Sequence, residues 1–419
     1  MRHDLGMTDL IEQHSLTELD IQECPWPYYQ AMNERRFYFD ERLNMYICAN
    51  YHLMREIMRQ PKLFSSVNSQ NVAQMREPPA KVQRLQREML RPVNILVSSD
   101  PPDHTRVRKM LDDPFRPRQI ASLRSQIVDI VNNIVDRFIE AGRCDVVTDF
   151  AIPIPVTVIA DLLGIDQSHA QAIKAWSDAS VEPLGMMISD ERWIECAEAL
   201  KEFQDFIASE LTRRRTQPSN DLLTHMVQAR DEHDQALTLS EMLGITQQLL
   251  VAGNETTTNG IAAGVQLLIE NPDQEQLLRE NPDRMYTFVN EVLRLESPVQ
   301  GLFRIAMEST EIDGISVAKG SRIMLRYAAA NRDQNKYEKP DELDITRSNS
   351  GTQVGFGAGI HHCIGANLAR EEMFHAFTIL LDRVENLRFS TPDPNLAHHP
   401  SMILRGLERL DIEFAKTSR

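Results

Sequence analysis

Residues 356–365 read Phe356-Gly357-Ala358-Gly359-Ile360-His361-His362-Cys363-Ile364-Gly365. The run that follows, residues 365–372, has the pattern of a helix. A thiolate on Cys363 would therefore lie at a helix N-terminus, where backbone N–H groups favour negative charge. The glycines let the backbone approach a flat partner closely. These are the features that a haem iron requires of a thiolate ligand, because hydrogen bonds to the sulfur tune the metal.

A structural cysteine, a zinc ligand and a c-type haem attachment site fit these residues less well. A lone cysteine is most often a small buried hydrophobe, but Cys363 belongs to a full motif. A zinc ion requires about four ligands in spaced pairs, and the chain has no Cys-x-x-Cys. A c-type haem needs Cys-x-x-Cys-His, which is also absent. The strictly alternating Gly355, Gly357 and Gly359 do not match a dinucleotide fingerprint.

Composition indicates a soluble enzyme with a large core. The chain has 419 residues, a net charge of −16 and 42% hydrophobic residues; length alone suggests two or three domains. The five cysteines are scattered and odd in number, which favours a reducing, cytoplasmic location. Residues 1–7 lack the apolar segment of a signal peptide. No charge-free stretch approaches the length of a membrane anchor, and the net acidity argues against nucleic acid.

Hydrophobic periodicity predicts a mostly helical chain after residue 100. Helices are expected over 120–139, 185–215 and 240–270, the last of them buried. Strands are expected near 43–48 and 302–328, where Asp313-Gly314 and Lys319-Gly320 mark turns. Residues 74–98, with Pro78-Pro79 and many charges, are expected to form an irregular surface segment.

The pattern Phe-Gly-x-Gly-x-His-x-Cys-x-Gly resembles the haem-ligand loop of cytochromes P-450, and every fixed position is filled. With the motifs below, the resemblance covers roughly residues 20–415 and is to a soluble bacterial member. It implies a mainly α fold with a small β-rich part, a triangular helical prism around a buried haem. Residues 1–20 would be an N-terminal tail and 21–419 a single catalytic domain. The resemblance makes Cys363 the axial ligand of a haem b iron, with Phe356, Gly357, His361 and Gly365 as further cofactor contacts.

Residues 249–258 place glycine and polar side chains inside the long buried helix. A mid-helix glycine costs about 1 kcal/mol against alanine, and threonine can bond back to the carbonyl four residues earlier. Such a local conflict tends to mark a functional site. The stretch resembles the family's dioxygen groove, which implies space at Ala252 and Gly253, a dioxygen-orienting hydroxyl on Thr256 and a proton-delivering acid in Glu255. A run of threonines that only packs or caps is the alternative.

Glu291 and Arg294 share one face of a helix. Such a pair is usually an exposed ion pair of little energetic value. The resemblance implies instead a buried pair that binds Arg347 and holds the thiolate loop in place. Gln334 and Leu343 stand where proline and phenylalanine are common in the family, and we interpret both as packing changes.

His104 and Arg108, at positions i and i+4, can both reach one carboxylate. Haem carries two carboxylates, and buried anions need hydrogen-bonded donors. The resemblance assigns His104, Arg108, Arg304 and His361 to these groups.

The resemblance implies a monooxygenase that inserts one atom of dioxygen into a C–H bond. Since no flavin or iron–sulfur module is fused, electrons are expected from a separate ferredoxin and its reductase. We expect the ferredoxin to dock on a basic patch of Arg106, Lys109, Arg116 and Arg118, and the protein to be a monomer. A peroxide-driven haem enzyme is a second hypothesis, against which the Glu255-Thr256 pair argues. A non-catalytic haem protein that binds a ligand, which would not need Thr256, is the third.

Family position also predicts a hydrophobic substrate, such as a terpenoid, steroid, fatty acid or aromatic compound. The expected pocket is mostly apolar, with adaptable methionines. Asn94 and Gln300 are expected to hydrogen-bond one polar group of the substrate. The full set is Asn94, Ile95, Leu96, Leu184, Gly185, Met186, Met187, Leu249, Ala252, Pro298, Val299, Gln300, Leu302 and Met402.

Overall fold

The computed structural model describes residues 7–70, 76–91, 93–185 and 187–417. Within these ranges the chain is mostly helical. The helices are α1 (Met7–Gln13), α2 (Leu19–Glu23), α3 (Trp26–Arg35), α4 (Tyr51–Met58), α5 (Ala80–Glu88), α6 (Asp103–Leu111), α7 (Pro117–Ser122), α8 (Arg124–Val135), α9 (Pro153–Leu163), α10 (Ala170–Val181), α11 (Asp190–Thr216), α12 (Leu222–Gln228), α13 (Leu239–Glu270), α14 (Pro272–Glu280), α15 (Met285–Leu295), α16 (Tyr327–Ala330) and α17 (Ala366–Arg383).

The strands form three small sheets in the described part of the chain. They are β1 (Phe37–Asp40), β2 (Met45–Cys48), β3 (Phe64–Ser65), β4 (Arg143–Asp145), β5 (Leu302–Ala306), β6 (Thr310–Ile312), β7 (Ile315–Val317), β8 (Arg322–Leu325), β9 (Val384–Phe389) and β10 (Asp411–Lys416). The largest sheet has the order β1-β2-β8-β5-β3, the second β4-β10-β9, and β6 pairs with β7. The strands expected near 43–48 and 302–328 are confirmed. Gly314 and Gly320 have φ of 80° and 85°, as the expected turns require.

The long helix α13 is the central element of the fold. It begins with a reciprocal cap: the Glu241 N–H donates to Thr238 Oγ1 at 3.2 Å, and the Thr238 N–H donates to Glu241 Oε2 at 2.7 Å. It ends at Glu270, and the capping residue Asn271 is followed by Pro272, which cannot continue a helix. Between these ends it packs against α9, α10, α15 and α17. The helix expected over 240–270 is therefore confirmed, including its burial.

Two other expected helices have different ends. The segment 120–139 is divided into α7 and α8, because the Leu123 N–H bonds to the carbonyl of Ile120, three residues back, and closes the first helix. The prediction that the apolar side chains of this segment face the core is confirmed, since Ile120 and Ile127 are at most 2% exposed. The helix expected over 185–215 begins only at Asp190, where Ser189 Oγ accepts from the Arg192 N–H and caps it.

The expectation of an irregular segment over 74–98 was wrong for its middle part, which forms α5. This helix starts directly after Pro78-Pro79, a position at which proline is tolerated. Val82 is fully buried and packs with Trp193 and Ala197 of α11. The few apolar positions are obscured in sequence by the surrounding charges, so only the contact with α11 reveals the helix.

Part of the expected N-terminal tail is packed onto the fold. Helix α1 lies against α3, and Leu16 is fully buried in a cluster with Tyr28, Tyr29 and Met32. Residues 1–6 lie outside the described ranges. The assignment of 21–419 to one catalytic domain stays a prediction.

One described helical stretch, Val146–Leu163, is apolar and long enough to cross a membrane, with a mean hydropathy of 1.8. Of its residues, 61% are buried inside the fold. It contains Asp149 and Asp161, and its second part is α9, which packs on α13. A core helix has these same properties, so the stretch is weak evidence for a membrane span.

Candidate active site

A large cavity separates α13 from the loop that carries Cys363. It encloses about 1420 Å³ of empty space when its open mouth is included. Its apolar walls are formed by Leu96, Val97, Phe115, Ile159, Leu249, Ala252, Leu293, Pro298, Val299, Leu302, Ile364, Leu368 and Met373.

Cys363 lies three residues before α17, on the wall opposite α13. Its N–H donates to the carbonyl of Phe356 at 2.9 Å, which closes the loop. Gly357 and Gly359 have φ of 68° and 69°, the left-handed region that favours glycine. A Cβ on Gly359 would stand 2.6 Å from the carbonyl oxygen of Met58. The loop can therefore pass this close to α4 only because residue 359 has no side chain.

The acidity of Cys363 reflects two opposed effects. Burial raises the pKa of the thiol, while the Gly365 N–H and the cations Arg108 and Arg370 lower it, and the net shift is upward. The helix N-terminus thus does not make this thiol acidic by itself. A metal ion bound to the sulfur would supply the missing positive charge and keep the sulfur deprotonated.

The four expected carboxylate contacts all line one end of the cavity. The rings of His104 and His361 meet edge to face, with centroids 4.4 Å apart. Arg108 donates from Nη1 to the carbonyl of His362 at 2.9 Å and from Nε to Asp112 at 2.9 Å.

Arg304 is the informative member of this group. It is only 3% exposed and donates to the carbonyl of Phe303 at 2.7 Å, but no carboxylate in the described ranges pairs with it. A buried, unpaired guanidinium calls for an anion in the cavity. Burial, followed by the charge of Arg304, lowers the pKa of His361 to about 3. His361 is therefore neutral, with Nε2 3.0 Å from Ser66 Oγ. A flat group bearing carboxylates fits this end.

The opposite wall is the polar notch expected in α13. Ala252, Gly253 and Thr256 all line the cavity. Thr256 Oγ1 donates to the carbonyl of Ala252 at 2.6 Å, the back-bond that threonine makes within a helix. The nearest contact of a Cβ on Gly253 would be Ile159, at 3.5 Å. The notch faces the same space as Cys363.

Glu255, in contrast, does not line the cavity. It is 8% exposed and points toward α10, where Oε1 accepts from Ser177 Oγ at 2.8 Å and lies 3.5 Å from Lys174 Nζ. Burial raises the pKa of Glu255 well above its ordinary value, with Lys174 lowering it and Asp178 raising it. Lys174 and Asp178 are partly exposed. Glu255 therefore connects the α13 notch to a charged surface group rather than to the cavity itself.

Sequence reasoning missed a second buried acid, Glu372 on α17. It lines the cavity and is 2% exposed. Burial raises its pKa to about 8, against a weak opposing contribution from Thr257. Thr257 Oγ1 makes no hydrogen bond within the described residues, so burial is the dominant effect. The only sequence signal was a charged pair, Glu371-Glu372, in the helix that follows Cys363.

The structure brings Glu291, Arg294 and Arg347 together beneath the Cys363 loop. Arg294 donates to Glu291 at 2.7 and 2.9 Å, and Arg347 donates at 3.0 Å. Glu291 and Arg294 have no exposure. Sequence reasoning did not assign a role to Asn331, which accepts from the Val354 N–H at 2.8 Å and donates to Ser297 at 2.9 Å. Asn331 thus fastens the start of the Cys363 loop to the end of α15.

The expected substrate set divides into two groups. Leu96, Leu249, Ala252, Pro298, Val299 and Leu302 line the cavity. The other described members do not, and Met186 lies outside the described residues. The cavity also includes residues that sequence reasoning missed: Val97, Phe115, Ile159, Gln248 and Leu293.

The members that miss the cavity are engaged elsewhere. Asn94 exchanges hydrogen bonds with Asn68 at the surface, and the Ile95 carbonyl accepts from Gln248 at 2.9 Å. Gln300 and Met402 are buried around the guanidinium of Arg326, which donates to both. Leu184, Gly185 and Met187 are absent from the cavity wall. Gln300 therefore stabilises the fold through Arg326 and is not part of the cavity wall.

The expected basic patch is largely matched by acids. Arg106 pairs with Glu241 and lies 3.9 Å from Asp231. Lys109 is 3.8 Å from Glu232, and Arg116 is 3.0 Å from Asp113. Of the four residues, Arg118 is exposed and forms no ion pair with the described part of the chain. The patch therefore carries much less uncompensated charge than the sequence predicted.

Known proteins agree with this geometry. The cytochrome P-450 family model matches residues 44–414. Cytochrome P-450 107B1 of Saccharopolyspora erythraea is 36% identical over 76% of each chain, and the vitamin D(3) 25-hydroxylase of Pseudonocardia autotrophica is 34% identical over 78% of this chain and 79% of its own. The solved structure of cytochrome P-450 CREJ with (4-ethylphenyl) dihydrogen phosphate has a TM-score of 0.89 at 27% identity and covers 96% of this chain and all of that one. With a Cys363 loop facing a notched helix across one cavity, and a family match over most of its length, the chain belongs to the cytochrome P-450 family of haem-iron monooxygenases.

Proposed function

We propose that this enzyme inserts one oxygen atom from dioxygen into a C–H bond of an uncharged, hydrophobic small molecule, using haem b bound through Cys363. The observation that carries the proposal is the placement of Cys363 and the Ala252-Gly253 notch on opposite walls of one cavity. Haem held by Cys363 would share this cavity with the notch. The apolar walls complete a site for a hydrophobic substrate in the same space.

Each wall has its own part in holding the group. Cys363 would hold the haem iron through its sulfur, and Phe356, Gly357 and Gly365 would line the surface beside the haem. Arg304, His104, Arg108 and neutral His361 would bind its carboxylates, which would give the buried Arg304 an anion to pair with. When bound, thiolate-ligated haem supplies the activation of dioxygen, because the sulfur pushes electron density toward the iron and favours O–O cleavage.

The notch of α13 handles protons. The Thr256 hydroxyl, now bonded to the Ala252 carbonyl, rotates to donate to an oxygen atom that enters the notch. Glu255 takes protons from solvent through Lys174 and Asp178 and passes them toward Thr256. A raised pKa suits this role, since an acid that titrates near the working pH can both accept and release a proton.

The cavity favours a bulky apolar substrate. Beyond the cofactor end, the described lining contains no charged side chain other than Glu372, and the amide of Gln248 is already bonded to Val97 and Ile95. Relatives named for vitamin D(3) and 6-deoxyerythronolide B and a structural neighbour in complex with testosterone support large, mainly apolar substrates. We favour a steroid- or macrolide-sized compound over a short fatty acid.

Electrons would come from a separate ferredoxin and its reductase in the cytoplasm, with the enzyme acting as a monomeric catalytic domain over residues 21–419. We expect the electron donor to dock on the face that carries the Cys363 loop. Because Arg106, Lys109 and Arg116 are matched by acids, we expect docking to depend less on these residues than the sequence suggested. Charge reversal of Arg118 should slow reduction more than charge reversal of Arg106.

The test begins with the absorption spectrum of the reduced, carbon monoxide-treated protein. A strongly red-shifted Soret band establishes a thiolate ligand, and its loss in Cys363→His with haem retained assigns that ligand. Titration with steroids, macrolides and fatty acids then identifies compounds that shift the resting iron to high spin. Turnover of such a compound with ferredoxin and reductase should yield a hydroxylated product. Product formed equally well from hydrogen peroxide alone would favour the peroxide-driven enzyme, and binding without product would favour a ligand carrier.

A further inference from the structure

Arg370 is a cation that forms no ion pair with an acid in the described part of the chain. It lies near the start of α17, seven residues after Cys363. Its guanidinium carbon is 4.5 Å from the centroid of the Phe356 ring, and Nε donates weakly to Asn290 Oδ1 at 3.4 Å. No carboxylate in the described ranges forms an ion pair with it. The ring and an amide are thus its two direct partners.

The two acids that follow Arg370 in sequence, Glu371 and Glu372, form no ion pair with it. Glu371 accepts two hydrogen bonds from Arg124, at 2.9 and 2.8 Å, and one from the Tyr286 hydroxyl at 2.8 Å. Glu372 points into the cavity from the buried side of the helix. Neither cancels the charge of Arg370. A guanidinium remains protonated at any working pH, so this positive charge is permanent.

The position of that charge relative to the sulfur is fixed by Phe356. The Phe356 carbonyl accepts from the Cys363 N–H at 2.9 Å, and its ring binds the guanidinium by a cation–π contact. Arg370 therefore lies directly behind the thiolate loop, in a partly buried place where solvent screens charge weakly. Burial lowers the pKa of Arg370, and Cys363 is the group that opposes this effect.

We propose that Arg370 is a positioning residue that raises the reduction potential of the iron, by placing a permanent positive charge behind the Cys363 loop against Phe356. Uptake of one electron from a protein donor would make the haem iron and its cysteine ligand together more negative. A nearby cation stabilises the reduced form more than the oxidised form. The inference rests on the proposed function, since it requires an iron bound to Cys363.

The measurement is the ferric–ferrous midpoint potential of the haem-loaded protein, by spectroelectrochemical titration. In Arg370→Gln we expect the ferrous-to-ferric ratio at a fixed potential to fall about tenfold, or ~59 mV for a one-electron couple. Arg370→Lys, which keeps the charge, should retain most of the wild-type value. Arg383→Gln is the matched control: it removes a cation from the same helix about 20 Å farther along, where Arg383 is paired with Asp136. Its potential should not change.

A second variant covers the case in which Arg370→Gln fails to bind haem. Asn290→Asp keeps the shape of side chain 290 and places a carboxylate beside Arg370. This variant should lower the midpoint potential, as Arg370→Gln does. An unchanged potential in Arg370→Gln or, where that protein cannot be loaded, in Asn290→Asp overturns the inference, as does an equal fall in Arg370→Lys. A wild-type protein without the red-shifted carbon monoxide band would instead refute the proposed function, so the two failures are distinguishable.

Discussion

Arg347 donates from Nε to Oε2 of Glu291 across 3.0 Å, 56 residues away in sequence. The Glu291 side chain has no exposure and that of Arg347 has 7%. Because Arg347 follows the loop after α16 and Glu291 lies on α15, the pair fastens the chain that leads into the Cys363 loop. A buried charge that loses its partner is strongly destabilising, although the intact pair itself adds little.

Because Glu291 keeps its pair with Arg294, we expect Arg347→Gln to lower the free energy of unfolding by about 1–3 kcal/mol, the cost of a lost buried hydrogen bond, and to reduce haem retention. Lys339→Gln is the control, because its ion pair with Glu342 is exposed on both sides and such pairs contribute about 0–1 kcal/mol. Urea unfolding followed by tryptophan fluorescence gives both values. Equal stability of the two variants would mean that Glu291 and Arg294 suffice without Arg347.

Gly359 permits the close approach of the Cys363 loop to Met58. Gly359→Ala should destabilise the protein through both its left-handed backbone and the contact of 2.6 Å. Gly320→Ala has a similar φ, +85°, with nothing within 4 Å of its Cβ, and should cost only the backbone strain of about 1 kcal/mol. The difference in melting temperature between the two variants measures the steric part, and a difference of zero contradicts this prediction.

Thr256 lines the cavity and, in the proposed mechanism, donates to bound oxygen. Thr256→Ala should reduce product formation roughly 10²-fold, a typical loss for a proton-handling group, while oxygen consumption continues and peroxide accumulates. Thr258→Ala on the same helix is the control, because Thr258 is buried and faces the Ala151 carbonyl. Simultaneous assays of product, oxygen and peroxide separate the two. Unchanged product yield in Thr256→Ala would remove the proton role.

We expect the free energy of unfolding to depend on pH because Glu372 is buried. Its folded-state pKa is about 8 against an ordinary value of 4.5. Between these values the folded protein holds a proton that the unfolded chain has lost, so this group makes stability fall as the pH rises through the window. Glu372→Gln cannot ionise. Its melting temperature should therefore exceed that of the wild type by an amount that grows with pH across the window and levels off above it.

The neighbouring Glu371 provides a control of opposite sign. Its hydrogen bonds from Arg124 and Tyr286 outweigh burial and hold its pKa below the ordinary value. Glu371→Gln should therefore be less stable than the wild type above about pH 4.5. Melting curves of both variants at about pH 5, 7 and 9 are sufficient. If the difference in melting temperature between the wild type and Glu372→Gln does not vary with pH, Glu372 is ionised in the folded protein.

Short sequence motifs predicted the main residues of the candidate site. The glycine-rich run around Cys363 specifies a tight loop because glycine alone readily tolerates the backbone at residues 357 and 359. The conflict between polar side chains and burial marked residues 249–258, and i, i+3 and i, i+4 spacing placed Glu291 with Arg294 and His104 with Arg108 on shared helix faces. In each case the relevant partners lie within a few residues, so their relation is present in the sequence. The burial of the Glu291–Arg294 pair and the roles of these residues were implied by the resemblance to the family.

Tertiary structure decided every feature that depends on partners from distant segments. Gln300 and Met402 were expected in the substrate site but are held by Arg326, which is 26 and 76 residues away from them. Glu372 lines the cavity only because α17 packs against α13. Arg106 is paired with Glu241, so its charge is compensated. The sequence by itself determined the family and named the candidates for binding haem and handling protons, since motifs and their spacing are present in it. Which acid is desolvated, which cation stays unpaired and which apolar residues face the cavity depend on burial, and burial is settled only when the helices pack.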